Sequence, residues 1–78
     1  MADTLRVPPR AIESEMAVLG AMIQDQETVD ASLGMLATEM FCEARHRIIF
    51  QAMADLAGKG TAVDIITVQQ YLSENGSL

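Results

Sequence analysis

Apolar residues recur at three- and four-residue intervals in four stretches of this chain. Nowhere do apolar and polar residues alternate over a run long enough for a strand. That spacing places each apolar set along one stripe of a helix, and such a helix is stable only when the stripe packs against another element. At 78 residues the chain makes one small domain at most. The pattern therefore predicts an all-α fold, a small orthogonal bundle of about four helices with short connections. Aromatic residues are scarce, with two Phe, one Tyr and no Trp, so six Met residues supply much of the core volume. A core of this size rarely contributes more than about 3–5 kcal/mol of net stability. Cys42 is the only cysteine, so no internal disulfide can add to it.

Residues 1–10 read as an extended arm, because Pro8 and Pro9 oppose helix and hold Val7 extended. Residues 11–78 read as the helical head. In the first helix Ile12, Met16, Leu19, Gly20 and Ile23 share a face, and Gly20 on that face predicts a closely packed neighbour. Asp25 suits the cap of a second helix over 26–36, with Val29, Leu33 and Leu36 inward. Thr38 is a candidate cap before Met40 and Phe41. A third helix over 43–57 turns His46, Ile49, Phe50, Met53 and Leu56 inward and stops at Gly58-Lys59-Gly60. Asp64 caps the fourth helix, with Val63 and Val68 spaced as a hydrophobic staple. Ile65, Val68 and Leu72 form its stripe, and Asn75-Gly76 end it.

The formal net charge of −6 opposes free-standing nucleic-acid binding, whose affinity comes largely from neutralising phosphates. The fourth helix offers Gln69 and Gln70 to a DNA groove, but Glu74 and the acidic balance argue against that use. No apolar run approaches the ~18 residues of a membrane span, and the first residues lack a secretory apolar segment. These features predict a cytoplasmic protein. Asp30-Ala31-Ser32-Leu33 is a poor match to the Asp-Ser-Leu of a phosphopantetheine carrier. Ala31 intervenes, and Ser32 falls inside a helix. No Gly-rich phosphate loop of the Walker type is present.

The run Glu43-Ala44-Arg45-His46-Arg47-Ile48-Ile49-Phe50 sets two of the five bases around the only histidine, at the start of a helix. A helix N-terminus disfavours positive charge. One His and one Cys make half a zinc site at best, and no nucleophile accompanies the ring, so catalytic and metal roles are not expected. His46 is expected to pack at the core's end with its ring bonded to backbone or carboxylate. Arg45 and Arg47 lie about 200° apart around a helix and cannot form one patch. Arg47 is expected to pair with Glu13 or Glu15. Arg45 is the better candidate for an exposed partner contact.

Three blocks in order resemble the N-terminal domain of the DnaB-type replicative DNA helicases. The first holds Pro8, Pro9, Ile12, Glu13, Glu15, Val18, Leu19 and Gly20. The second holds Phe41, His46, Arg47, Ile49, Phe50, Ala52 and Met53. The third holds Gly60, Val63, Asp64, Ile66, Thr67 and Val68. The resemblance covers about residues 6–78. Ala11 stands where the family often has Ser before the first helix, which implies a lost cap of about 1 kcal/mol.

The resemblance makes Glu13, Glu15, Gly20, Phe41, His46, Arg47, Phe50 and Asp64 a structural signature rather than a catalytic set. It implies that the chain is the head of a longer domain without the family's C-terminal helical hairpin. In the family six such domains, paired as dimers in the head and arranged as a trimer of dimers, form a collar above a ring of ATPase domains that unwinds duplex DNA. The collar helps hold the hexamer and docks primase and, in some members, a loader. ATP, Mg2+ and single-stranded DNA would be bound by the ATPase domain, so this chain is expected to carry no cofactor and no enzymatic centre of its own. The alternative is a stand-alone helical interaction domain, such as a phage or regulatory mimic of the collar or a primase-like helical head.

Overall fold

A computed structural model describes residues 9–75, with side chains from residue 11. Four helices follow in order: α1 (Pro9–Gln24), α2 (Gln26–Met35), α3 (Ala44–Gly58) and α4 (Ile65–Glu74). A single 3-10 turn, Thr38–Met40, lies between α2 and α3. The described residues contain no strand, so the fold is all-α. The rest of the expected arm, residues 1–8, lies outside the described residues, as does Gly76, expected to end the fourth helix with Asn75. Pro9 and Arg10, assigned to that arm from the sequence, are helical. Proline suits a first helical position, because its missing N–H would have no intrahelical partner there. The start at Pro9 also places Ala11 inside the first turn rather than at the N-cap.

One residue separates α1 from α2. Asp25 donates its N–H to Ala21 (3.1 Å), the last bond of α1. Its backbone is extended (φ −144°), which turns the chain, and its carboxylate accepts from the Glu27 N–H (3.0 Å) and the Thr28 hydroxyl (3.1 Å). One side chain thus ends the first helix and starts the second. Gln26 then reaches across and accepts from the Val63 N–H (3.3 Å), tying the start of α2 to the approach to α4.

α3 is the hub: it packs against α1, α2, α4 and the 3-10 turn. Its inward residues His46, Phe50, Ala52, Met53 and Leu56 are buried, and Ile49 packs against them at half burial. Phe50, Ala52, Met53 and Leu56 join Leu19, Met22, Val29, Phe41, Val63, Val68 and Leu72 in one core. Burying each large member contributes about 1.5–3 kcal/mol before conformational entropy is counted. Truncating Phe50 to Ala would cost roughly 3–5 kcal/mol, comparable with the whole margin of so small a domain.

α3 ends in a Schellman motif. Gly60 takes φ +73°, its N–H reaches the Ala57 carbonyl (3.0 Å), and the Thr61 N–H reaches Leu56 (3.0 Å). A left-handed residue is needed there, and glycine adopts that conformation without a Cβ clash. At the start of α4, Asp64 and Thr67 form a reciprocal capping box, with bonds of 2.9 and 3.0 Å, and Val63 and Val68 are both buried beside it.

Four expectations fail on the outer faces. Met16 is 58% exposed, and the buried side of α1 centres on Glu15, Leu19 and Met22 instead. Gly20 faces outward, and a Cβ added to it would meet nothing within 4 Å, so no described helix packs closely there. Ile65 is 55% exposed and lies outside the buried stripe of α4, which is Val68 and Leu72 with Tyr71 at its edge. Thr38 caps nothing: its hydroxyl bonds the Gln51 side chain (2.9 Å) and joins the 3-10 turn to α3.

Candidate functional site

The polar residues that approached significance in the sequence meet where α1 crosses the start of α3. Glu15, on the buried side of α1, receives three donors there. Its Oε2 accepts from the Cys42 N–H (2.6 Å). Its Oε1 accepts from the Glu43 N–H (3.2 Å) and lies 2.7 Å from His46 Nδ1. Both side chains of the Glu15–His46 pair are close to buried, at 12% and 10% exposure. Desolvation, the largest single influence, pushes the Glu15 carboxyl up. Hydrogen bonds from the Cys42 backbone, the His46 ring and the Glu43 backbone, with a smaller contribution from the nearby Cys42 thiol, together outweigh it and hold the carboxyl at about 2, below its ordinary 4.5. An ionised carboxylate only accepts, so His46 Nδ1 carries a hydrogen and donates it.

Arg47 grips the same segment from the other side. Its Nη1 donates to the carbonyls of Phe41 (2.8 Å) and Cys42 (3.1 Å). It therefore does not pair with Glu13 or Glu15. The carboxylate expected for Arg47 is held by its neighbour His46, because His46 faces α1 and Arg47 lies about 100° away around the helix. Residues 41–43 are clamped through N–H groups by Glu15 and through carbonyls by Arg47. The Phe41 ring is seated on Phe50, with centroids 4.9 Å apart at 37°. The negative charge of Glu15 beside the first turn of α3 answers the helix dipole there.

A second polar cluster joins α3 to α4. Tyr71 donates to Asp55 Oδ2 (2.5 Å), Gln51 Nε2 donates to Asp55 Oδ1 (2.9 Å), and Thr38 donates to Gln51. The Tyr71 bond, then the Gln51 bond, hold the Asp55 carboxyl below its usual range against desolvation, with Lys59 adding a smaller attraction. The same bond, with desolvation and the Asp55 charge, pushes the Tyr71 hydroxyl up. Lys59 lies 5.1 Å from the Tyr71 ring centroid. Beside this cluster runs an open groove of about 510 Å³ between α3 and α4.

These clusters are structural in their chemistry. Each carboxylate has both oxygens bonded to internal donors, and no buried side-chain nitrogen or oxygen among the described residues lacks a partner. Among those residues, no group of three His, Cys, Asp or Glu is arranged to hold a metal ion. Nor is any described helix long and apolar enough to cross a membrane.

Residues 7–78 match the family model described as the DnaB-like helicase N terminal domain. The chain belongs to that family. It is 42% identical over 73 residues to the replicative DNA helicase DnaB of Rhodothermus marinus, covering 94% of this chain and 8% of the relative. It is 40% identical over 73 residues to the replicative DNA helicase DnaB of Geobacillus stearothermophilus, covering 94% and 16%. Against that of Buchnera aphidicola subsp. Schizaphis graminum it is 35% identical over 76 residues, covering 97% and 16%. The chain thus spans a small fraction of these DnaB relatives' length. No solved structure matches it.

Within this DnaB-type domain the signature residues divide by position. Glu15, His46, Arg47, Phe41 and Phe50 converge on the α1–α3 junction. Asp64 caps α4 at the other end. Glu13 and Gly20 are exposed on the outer side of α1 and join neither cluster. Arg45 is exposed as well, and its N–H bonds the Glu43 carboxylate weakly (3.4 Å). Asp55 was not singled out in the sequence, and its bond to Tyr71 had no local signal, because the two lie 16 residues apart.

Proposed function

We propose that this chain acts as the head of a collar module in a replicative DNA helicase, helping to assemble the hexameric ring and to dock primase or a loader. The observation that carries the reading is the domain family itself, which ties these 78 residues to proteins named as replicative helicases. The chemistry of the fold agrees with a scaffold. Its charged residues brace helix junctions. In this proposal ATP, Mg2+ and single-stranded DNA are bound elsewhere in the helicase, by a part that carries a phosphate-binding loop. The setting is the cytoplasm, where replication proceeds.

A chimera tests this. The matching residues of the Geobacillus stearothermophilus helicase are replaced by this chain. The expected result is a hexamer by analytical ultracentrifugation whose unwinding is still stimulated by the cognate primase. A folded chimera that neither assembles nor responds to primase would overturn the proposal.

A further inference from the structure

The groove between α3 and α4 has an apolar floor of Ala44, Ile48, Ala52 and Leu72. Ile48 is 43% exposed there. Most of the polar groups along its walls are already bonded to one another through the Thr38–Gln51–Asp55–Tyr71 chain, and Asn75 bonds the Tyr71 carbonyl (2.8 Å). Arg47 is the exception. Nη1 is fixed on two backbone carbonyls, which immobilises the guanidinium. Its Nε and Nη2 hydrogens, the edge that matches both oxygens of a carboxylate, have no partner among the described residues.

We infer that this groove docks a helix from another protein through apolar side chains seated on the exposed Ile48 and Ala44, above the buried Leu72, and one Asp or Glu on the free edge of Arg47. Three features select that occupant. The floor is apolar and runs along two helices, as helix-in-groove recognition requires. The one cation lining it is held before binding, so little side-chain entropy is lost when the pair forms. Asp55 keeps its negative charge but lies eight residues, about 12 Å, along α3 from Arg47, with each oxygen already bonded to a neighbouring side chain. The chain is acidic overall, so the attraction is local to Arg47 and a net-neutral partner suits it better than a strongly acidic one. The inference stands on the groove and does not depend on the helicase reading.

The test uses a helix-stapled peptide of about 14 residues and zero net charge. It carries Leu at i, i+4 and i+7 and a single Glu at the flank; a twin carries Gln instead. The isotope-labelled chain is titrated with each and followed through its methyl resonances. The Glu peptide is expected to shift Ile48 and Leu72 and to bind at least about tenfold more tightly than its twin. Ile48→Asp should abolish the shifts in a chain whose other resonances are unchanged. Equal binding of the two peptides overturns the inference. So do shifts centred on Ile65 and Ile66, a second copy of the chain found occupying the groove, or no shift at about 1 mM peptide.

Discussion

Two carboxylates sit at the two junctions of α3, and they do different work. Glu15 at the α1–α3 junction binds backbone N–H groups and the His46 ring, so it fixes the path of the chain into the helix. Asp55 at the α3–α4 junction binds only side chains, Tyr71 and Gln51, over a contact already built from apolar residues. Removing the first leaves orphaned backbone donors at a part-buried turn. Removing the second frees side chains that water can reach. The same chemical group therefore determines backbone geometry in one place and side-chain orientation in the other.

The largest expected effect separates the two. Glu15→Ala should lower stability by about 2–3 kcal/mol, since three donors lose a charged acceptor, and that approaches the ~3–5 kcal/mol of such a domain. Urea unfolding followed by circular dichroism would measure it. A loss below about 0.5 kcal/mol would show that the junction is held by its apolar contacts alone.

Acid should weaken the same junction. The folded Glu15 carboxyl titrates at about 2 against 4.5 for the free group, so its contribution is complete above about 4.5 and is lost as the pH falls toward 2. A shift of this size corresponds to about 3 kcal/mol in full, and solvent at the rim reduces it to about 1–2 kcal/mol. Glu15→Gln should flatten stability across that window. An unchanged acid profile in this variant would assign the titration to other carboxylates.

Asp55→Asn should cost less, about 1 kcal/mol, and it carries an optical readout. Tyr71 is the only tyrosine and there is no Trp, so phenolate absorbance reports on this one residue. In the native chain the hydroxyl titrates above its ordinary 10. Its raised value means that the bond stabilises the fold below about pH 10 and is lost as the pH rises through the folded pKa. In the variant the titration should move back toward 10, and an unmoved titration would remove the Asp55 bond as the cause.

Gly20→Ala gives the smallest effect and lies outside both junctions. With nothing within 4 Å of the new Cβ, it should stabilise α1 by up to about 1 kcal/mol. Destabilisation in thermal melts would mean that the outer face of α1 is covered in the folded chain.

Much of the fold was legible because its determinants are local. Asp25, Asp64 and Gly60 act on residues within a few positions, and α3 has an inward face readable from spacing. The outer boundaries of the stripes were not legible. Met16 and Ile65 have the right period, but periodicity does not say how wide the buried stripe is. The α1–α3 junction was half visible. The sequence placed His46 and Arg47 together with a glutamate of α1 in view, yet which of two adjacent bases takes it depends on helix rotation. Arg47 also showed no sequence preference for carbonyls, because every residue offers one.

The two largest side chains with no exposure in the core are Met22 and Met53, whereas Met16, Met35 and Met40 are more than half exposed. Thioether oxidation follows access. Under mild peroxide the outer three sulfurs should therefore react at once, and the inner two only in molecules that have opened. Fewer methionines enter the core than composition suggested, but these two make the chain its own clock for transient unfolding, with each opening recorded as a mass increase on a buried sulfur.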